Sequence, residues 1–127
     1  MTLEDTLRLA NRTMIGFDLM LGSAALVAPD QTLKAIGHEP PSEDARHLFR
    51  RCGPIWLTFA AAHLLADRRG NAADWQSLAW LRGTEIATDV VWSASPAVSR
   101  PGAKVGLWFA GVYNLGIALG FARLARS

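Results

Sequence analysis

Five ionisable side chains, Asp18, His63, Arg82, Glu85 and Asp89, stand inside stretches that are otherwise apolar, and Asn114 joins them as a neutral companion. Such groups are costly against hydrocarbon and are expected to face inward. Arg82, Glu85, Asp89 and Trp92 follow at i, i+3, i+7 and i+10, which gathers a cation, two carboxylates and an indole on one helix face. Two carboxylates in a poorly solvated cavity do not both ionise, so one would hold a proton near neutrality, the condition for general acid–base work. With Glu85 and Asp18 as acid and base, Asp89 beside them and Arg82 keeping one carboxylate charged, the set suits protonation of an oxygen or an alkene carbon of a lipophilic substrate. Isomerisation, cyclisation and epoxide opening are reactions of that kind. His63, Asn114 and Thr88 would orient the substrate, and Trp56, Phe59, Trp80, Trp92 and Tyr113 would supply apolar or cation-stabilising walls. No cofactor is needed.

The depth of each group follows from a rise of ~1.5 Å per residue along antiparallel helices. Counted from the side where the N-terminus enters, Asp18 lies ~14 Å deep and Glu85 and Asn114 ~15 Å, with His63 and Arg82 about one turn away at ~9–10 Å. Three helices therefore bring a polar residue to one level. The same residues admit a purely structural role, in which Arg82 pairs with Glu85 and Asp18 while Asn114 bonds across helices. A metal is the weaker expectation: His63 with Asp67 and Glu85 with Asp89 are i, i+4 pairs, but no Glu-x-x-His motif of the di-iron proteins accompanies them.

Helices must carry these residues, and the punctuation of the sequence places them. Thr2 with Asp5 reads as a capping box for a helix over about 2–28, ended by Pro29. Asp30 is expected to cap a short helix that Gly37 stops, and His38-Glu39-Pro40-Pro41 reads as a non-helical connector, a candidate lid or partner surface, within the link 29–42. Ser42 with two acids behind it starts a helix over about 43–69, kinked at Gly53-Pro54. Gly70-Asn71 separates it from a helix over about 74–94. Ser95-Pro96 precedes the last, about 102–126. Short links make neighbours antiparallel, so the expected fold is all-α, an up-down-up-down four-helix bundle in one domain spanning 1–127.

The chain of 127 residues is 50% hydrophobic and 19% charged, a composition that excludes intrinsic disorder. Its 13 basic and 11 acidic residues leave a net charge of +2, spread rather than clustered, so a nucleic-acid partner is not expected. One cysteine, Cys52, excludes an internal disulfide and a Cys-based zinc finger. No Gly-rich phosphate loop, Ser-His-Asp order or nucleotide fingerprint is present, and no signal peptide is evident.

Membrane residence is the favoured reading, and a soluble bundle the alternative. Leu19–Pro29 and Val105–Ala122 carry no charge, and the second is long enough to span a bilayer. A mean hydropathy of +0.15 is low for a membrane bundle. Glycine tips the balance: Gly106, Gly111, Gly116 and Gly120 would weaken a water-exposed helix by about 1 kcal/mol each, whereas in a membrane small residues let helices approach. Trp75, Trp92 and Trp108 fall near helix ends, where an aromatic belt would lie. Arg50-Arg51 and Arg68-Arg69 read as anchors at lipid phosphates, although the basic residues are evenly divided between the two ends and assign no orientation. The expected location is the cell membrane, as a multi-pass protein among membrane lipids, with a homodimer through Gly116 and Gly120 as a candidate assembly.

In length and hydropathy the chain resembles the small four-helix bacterial membrane proteins of which the DoxX-like group is one, and its polar interior resembles the logic of membrane terpene cyclases and sterol isomerases. The resemblance implies a helical membrane fold and assigns no functional residue. Two non-enzymatic alternatives stand beside the acid–base enzyme: an accessory subunit of a larger membrane complex, packed through the Gly-rich last helix, and a small proton-coupled carrier.

Overall fold

Caps and breakers divide the chain into five helices, seen in a computed structural model that describes residues 1–38 and 41–127: α1 (Leu3–Val27), α2 (Pro29–Ala35), α3 (Glu43–Arg69), α4 (Ala72–Ser93) and α5 (Pro101–Leu124). No strand occurs among the described residues, although His38 and Val98 form one isolated antiparallel bridge. The capping box of α1 is formed: the Thr2 hydroxyl accepts from the Asp5 amide at 3.1 Å, and the Asp5 carboxylate accepts from the Thr2 amide at 2.8 Å. Asn71 caps α4 by accepting from the Asp74 amide at 2.9 Å, so that helix starts two residues before the position expected from Asp74. Gly70 provides the left-handed turn between α3 and α4, at φ 63°.

One local expectation is corrected. Asp30 does not cap α2: Ala28 occupies that place without a side-chain bond, Pro29 is the first helical residue, and Asp30 accepts from Arg46 Nε at 2.7 Å, tying α2 to the first turn of α3. As expected, α3 continues through Gly53-Pro54 as one helix. Gly53 also serves contact. A Cβ there would sit 2.9 Å from the Gly22 carbonyl oxygen and one on Gly22 would sit 2.9 Å from that of Gly53, so α1 and α3 touch backbone to backbone. Gly37 is required twice over. Its φ of 92° closes α2 in a Schellman motif, with His38 N–H donating to Leu33 at 2.9 Å and Gly37 N–H to Lys34 at 3.1 Å. A Cβ on Gly37 would also overlap Ala103 of α5, at 2.1 Å. Glu39 and Pro40 of the expected connector lie outside the described residues.

The long helices pack as two pairs, α1 on α3 and α4 on α5, which meet mainly where α3 faces α4. Two apolar clusters fill the interior. Met14, Ala66, Leu78 and Phe121 belong to one, with Trp75 stacked on Phe121 at 5.5 Å; Ala25, Leu33, Phe49 and Trp56 form the other. Between them every long helix turns a polar residue inward: Asp18 on α1, His63 on α3, Arg82 and Asp89 on α4, Asn114 on α5. One helix, α5, is long and apolar enough to cross a membrane by itself.

Candidate functional site

The polar layer is built on helical stripes. On α1 the buried residues are Leu7, Asn11, Met14, Asp18, Gly22 and Ala25, spaced three and four apart, so Asn11 and Asp18 share the packed face. His63 occupies the equivalent stripe of α3, and Arg82 and Asp89 that of α4.

Arg82 is the hub. Fully buried, it donates from Nη2 to the Asp18 carboxylate and from Nε to His63 Nε2 at 2.9 Å, while its guanidinium lies over the Phe59 ring at 5.8 Å. Arginine has only donors to offer, so His63 Nε2 must be the acceptor and the ring proton sits on Nδ1. That proton meets Asn11 Oδ1 at 2.6 Å, and Asn11 Nδ2 returns a bond to the His63 carbonyl at 3.0 Å. The result is a neutral histidine clamped at both ring nitrogens, beside one cation and one anion. The metal pairing open to His63 is not formed either: Asp67 accepts from Arg12 at 3.1 Å, and no cluster of three His, Cys, Asp or Glu side chains occurs among the described residues.

The second group lies further along α4. Asp89 accepts from Asn114 Nδ2 of α5 at 3.0 Å. Glu85, half-buried and one turn before Asp89, makes no ion pair among the described residues; the Trp56 indole approaches it from α3. Two carboxylates thus share a face, with a neutral amide bonded to one of them. Asp18 Oδ1 and Asn114 Oδ1 are buried acceptors to which no described side chain donates.

The level expected to join Asp18, Glu85 and Asn114 is therefore split in two. Asp18 lies with Arg82 and His63, because the long arginine side chain spans the turn that the backbone count places between them, and Asn114 lies with Asp89. Of the expected walls, Phe59 lies under the guanidinium, and Trp56 and Trp92 each meet Phe49 edge to face, at 5.4 and 5.9 Å. Trp80 is 73% exposed and takes no part. It stands two residues from Arg82, ~200° around the helix, so a face that buries one must expose the other. Tyr113, next to the inward Asn114, is partly exposed. Asn11 escaped the sequence reading although its spacing of seven from Asp18 was the available signal. Of the two candidate assembly glycines, Gly120 is covered by Leu7 of α1, while Gly116 has open space beside it.

No protein-family model, curated protein or solved structure matches the chain, so the geometry of its own residues is what bears on its function.

Proposed function

We propose that the chain is a multi-pass membrane protein, a transmembrane four-helix bundle, that performs acid–base chemistry on a lipophilic small molecule. One observation carries this reading: charged side chains are enclosed between the helices while large apolar ones face outward. Asp18, His63 and Arg82 are buried, while Phe109, Val112, Leu119, Val91 and Met20 stand outward on three helices. Water would penalise that arrangement and hydrocarbon favours it. Among the described residues only α5 is apolar enough to cross alone; Asp18 of α1 and Arg82 and Asp89 of α4 are charges that become shielded once the helices associate.

Within that frame the two polar groups take different roles. Asp18 and Arg82 neutralise one another and serve as scaffold, with His63 and Asn11 holding the arginine in place. Glu85 and Asp89, about 5–6 Å apart at Cβ by their i, i+4 spacing, form the acid–base pair. Glu85 delivers the proton to an oxygen or alkene carbon, and Asp89, oriented by Asn114, receives one. Trp56 and Trp92 face the reacting region and would stabilise positive charge developing on carbon.

The test uses carbonate-washed membranes and detergent-purified protein, wild type beside Glu85→Gln, incubated with a panel of lipophilic epoxides and alkenes. The expected result is that both variants stay in the washed membrane and only the wild type forms product. Equal product from both variants would remove Glu85 from the chemistry, and release by carbonate would remove the membrane.

A further inference from the structure

Beside the polar layer, between α3 and α4 on the side of α2, lies an open-sided cavity of about 640 Å³. The edge-to-face pair Phe49 and Trp92 forms one wall, and Leu33, Cys52 and Val91 extend the apolar surface. Among the described residues no Lys, Arg, Asp or Glu lines it; its polar side chains are Thr88, Ser95 and His38. The Thr88 hydroxyl faces the Thr84 carbonyl at 3.4 Å. Ser95 Oγ accepts from the Ala97 amide at 3.2 Å and keeps its own proton to donate. His38 is fixed by its backbone, through the bond to Leu33 and the bridge to Val98, yet its ring Nδ1 is buried without a partner among the described residues. A buried ring nitrogen with nothing to bond is an unfavourable state that a matching ligand relieves.

We infer that this cavity binds a lipophilic alcohol, its hydroxyl on His38 Nδ1 and Ser95 Oγ and its apolar body along the wall that Phe49 and Trp92 form. A hydroxyl both donates and accepts, so it satisfies Nδ1 in either tautomer and also takes the serine proton. A hydrocarbon of the same length leaves the nitrogen unpaired, and a carboxylate brings a charge to a lining that holds no cation. Ser95 follows just beyond the end of α4 at Ser93, Thr88 lies ~7.5 Å back along the helix axis from that end, and Thr88 stands one turn from Glu85. The end of the ligand remote from its hydroxyl therefore lies nearest that carboxylate. This deepens the acid–base reading by naming its substrate class, and rests on that reading only for the role of Glu85.

The experiment reconstitutes the full chain in phosphatidylcholine nanodiscs and photolabels it with dodecan-1-ol bearing a diazirine at the chain end. The expected labels fall on residues of the cavity such as Cys52 and Phe49, and unlabelled dodecan-1-ol displaces the probe at least tenfold more effectively than dodecane. His38→Ala, whose backbone bridge is retained, should weaken that displacement about tenfold. Ala87→Phe, which fills the cavity from an exposed position, should abolish cavity labelling; circular dichroism checks that both variants are folded. Equal competition by dodecane and dodecan-1-ol would mean a bilayer acyl chain only and would overturn the proposal, as would labels confined to the outer face of α5. Glu85→Gln separates the two readings. Cavity labelling kept with no turnover in any variant leaves the alcohol site standing without the catalytic role, whereas turnover without cavity labelling does the reverse.

Discussion

The two polar groups inside the helices differ in charge balance. Around Arg82, one cation meets one anion and a neutral histidine clamped at both nitrogens, all of them buried. Around Asp89, two carboxylates on one turn of α4 meet an amide and an indole, and Glu85 keeps partial access to its surroundings. A balanced group is locked by its own electrostatics, because moving any member strands a charge. An unbalanced one needs something from outside: a proton, a cation or a developing positive charge. The contrast assigns stability to the first and chemistry to the second.

The sharpest way to break the comparison is Arg82→Met. Removing the cation leaves Asp18 buried and unpaired, with an expected loss of about 3–5 kcal/mol of folding free energy, whereas the double change with Asp18→Leu should recover most of it. Thermal unfolding in detergent reads both, and a mild single variant would show that the pair carries little. A smaller effect, about 1–3 kcal/mol, is expected for Asn11→Leu, which strips His63 Nδ1–H of its acceptor and the His63 carbonyl of its donor. If Asn11→Leu unfolds at the wild-type temperature, the clamp on the histidine is not a source of stability. The smallest effect lies outside both groups, at the first turn of α1. The Thr2 backbone and then side-chain hydrogen bonds hold the Asp5 carboxyl below its ordinary value of 3.8. A lowered folded-state value means that its stabilising contribution is complete above the ordinary value and fades as pH falls through the lower one. Amide exchange at Asp5 and Thr6 should accelerate in that acid range while exchange at the Arg82 level does not; simultaneous loss would mean that acid attacks the interior first.

Much of this architecture was written locally. The caps at Thr2, Ser42 and Asn71 and the stop at Gly70 are side-chain and backbone rules that act within four residues, and they fix helix bounds to within two or three positions. That Asp18, His63, Arg82, Asp89 and Asn114 face inward was also legible, from the contrast with their apolar neighbours. Their partners were not. Partnering depends on the reach of a side chain and on the offset between helices, and counting rise per residue captures neither. Arg82 closed a gap of one turn, and Asn114 found Asp89 instead of the Asp18 level. Gly53 shows the same limit. Read beside Pro54 it suggests a bend; that it also admits the close approach of α1 is something the sequence of α3 alone does not contain. The cavity against α2 is likewise a product of three segments meeting.

The bond between Arg82 and Asp18 joins residues 64 positions apart, one in each of the two helix pairs. Neither pair is electrically complete alone: the first carries a bare acid and the second a bare base until they dock. Docking of the two pairs is therefore what cancels the charge, and a partner without a cation at that depth would leave Asp18 stranded.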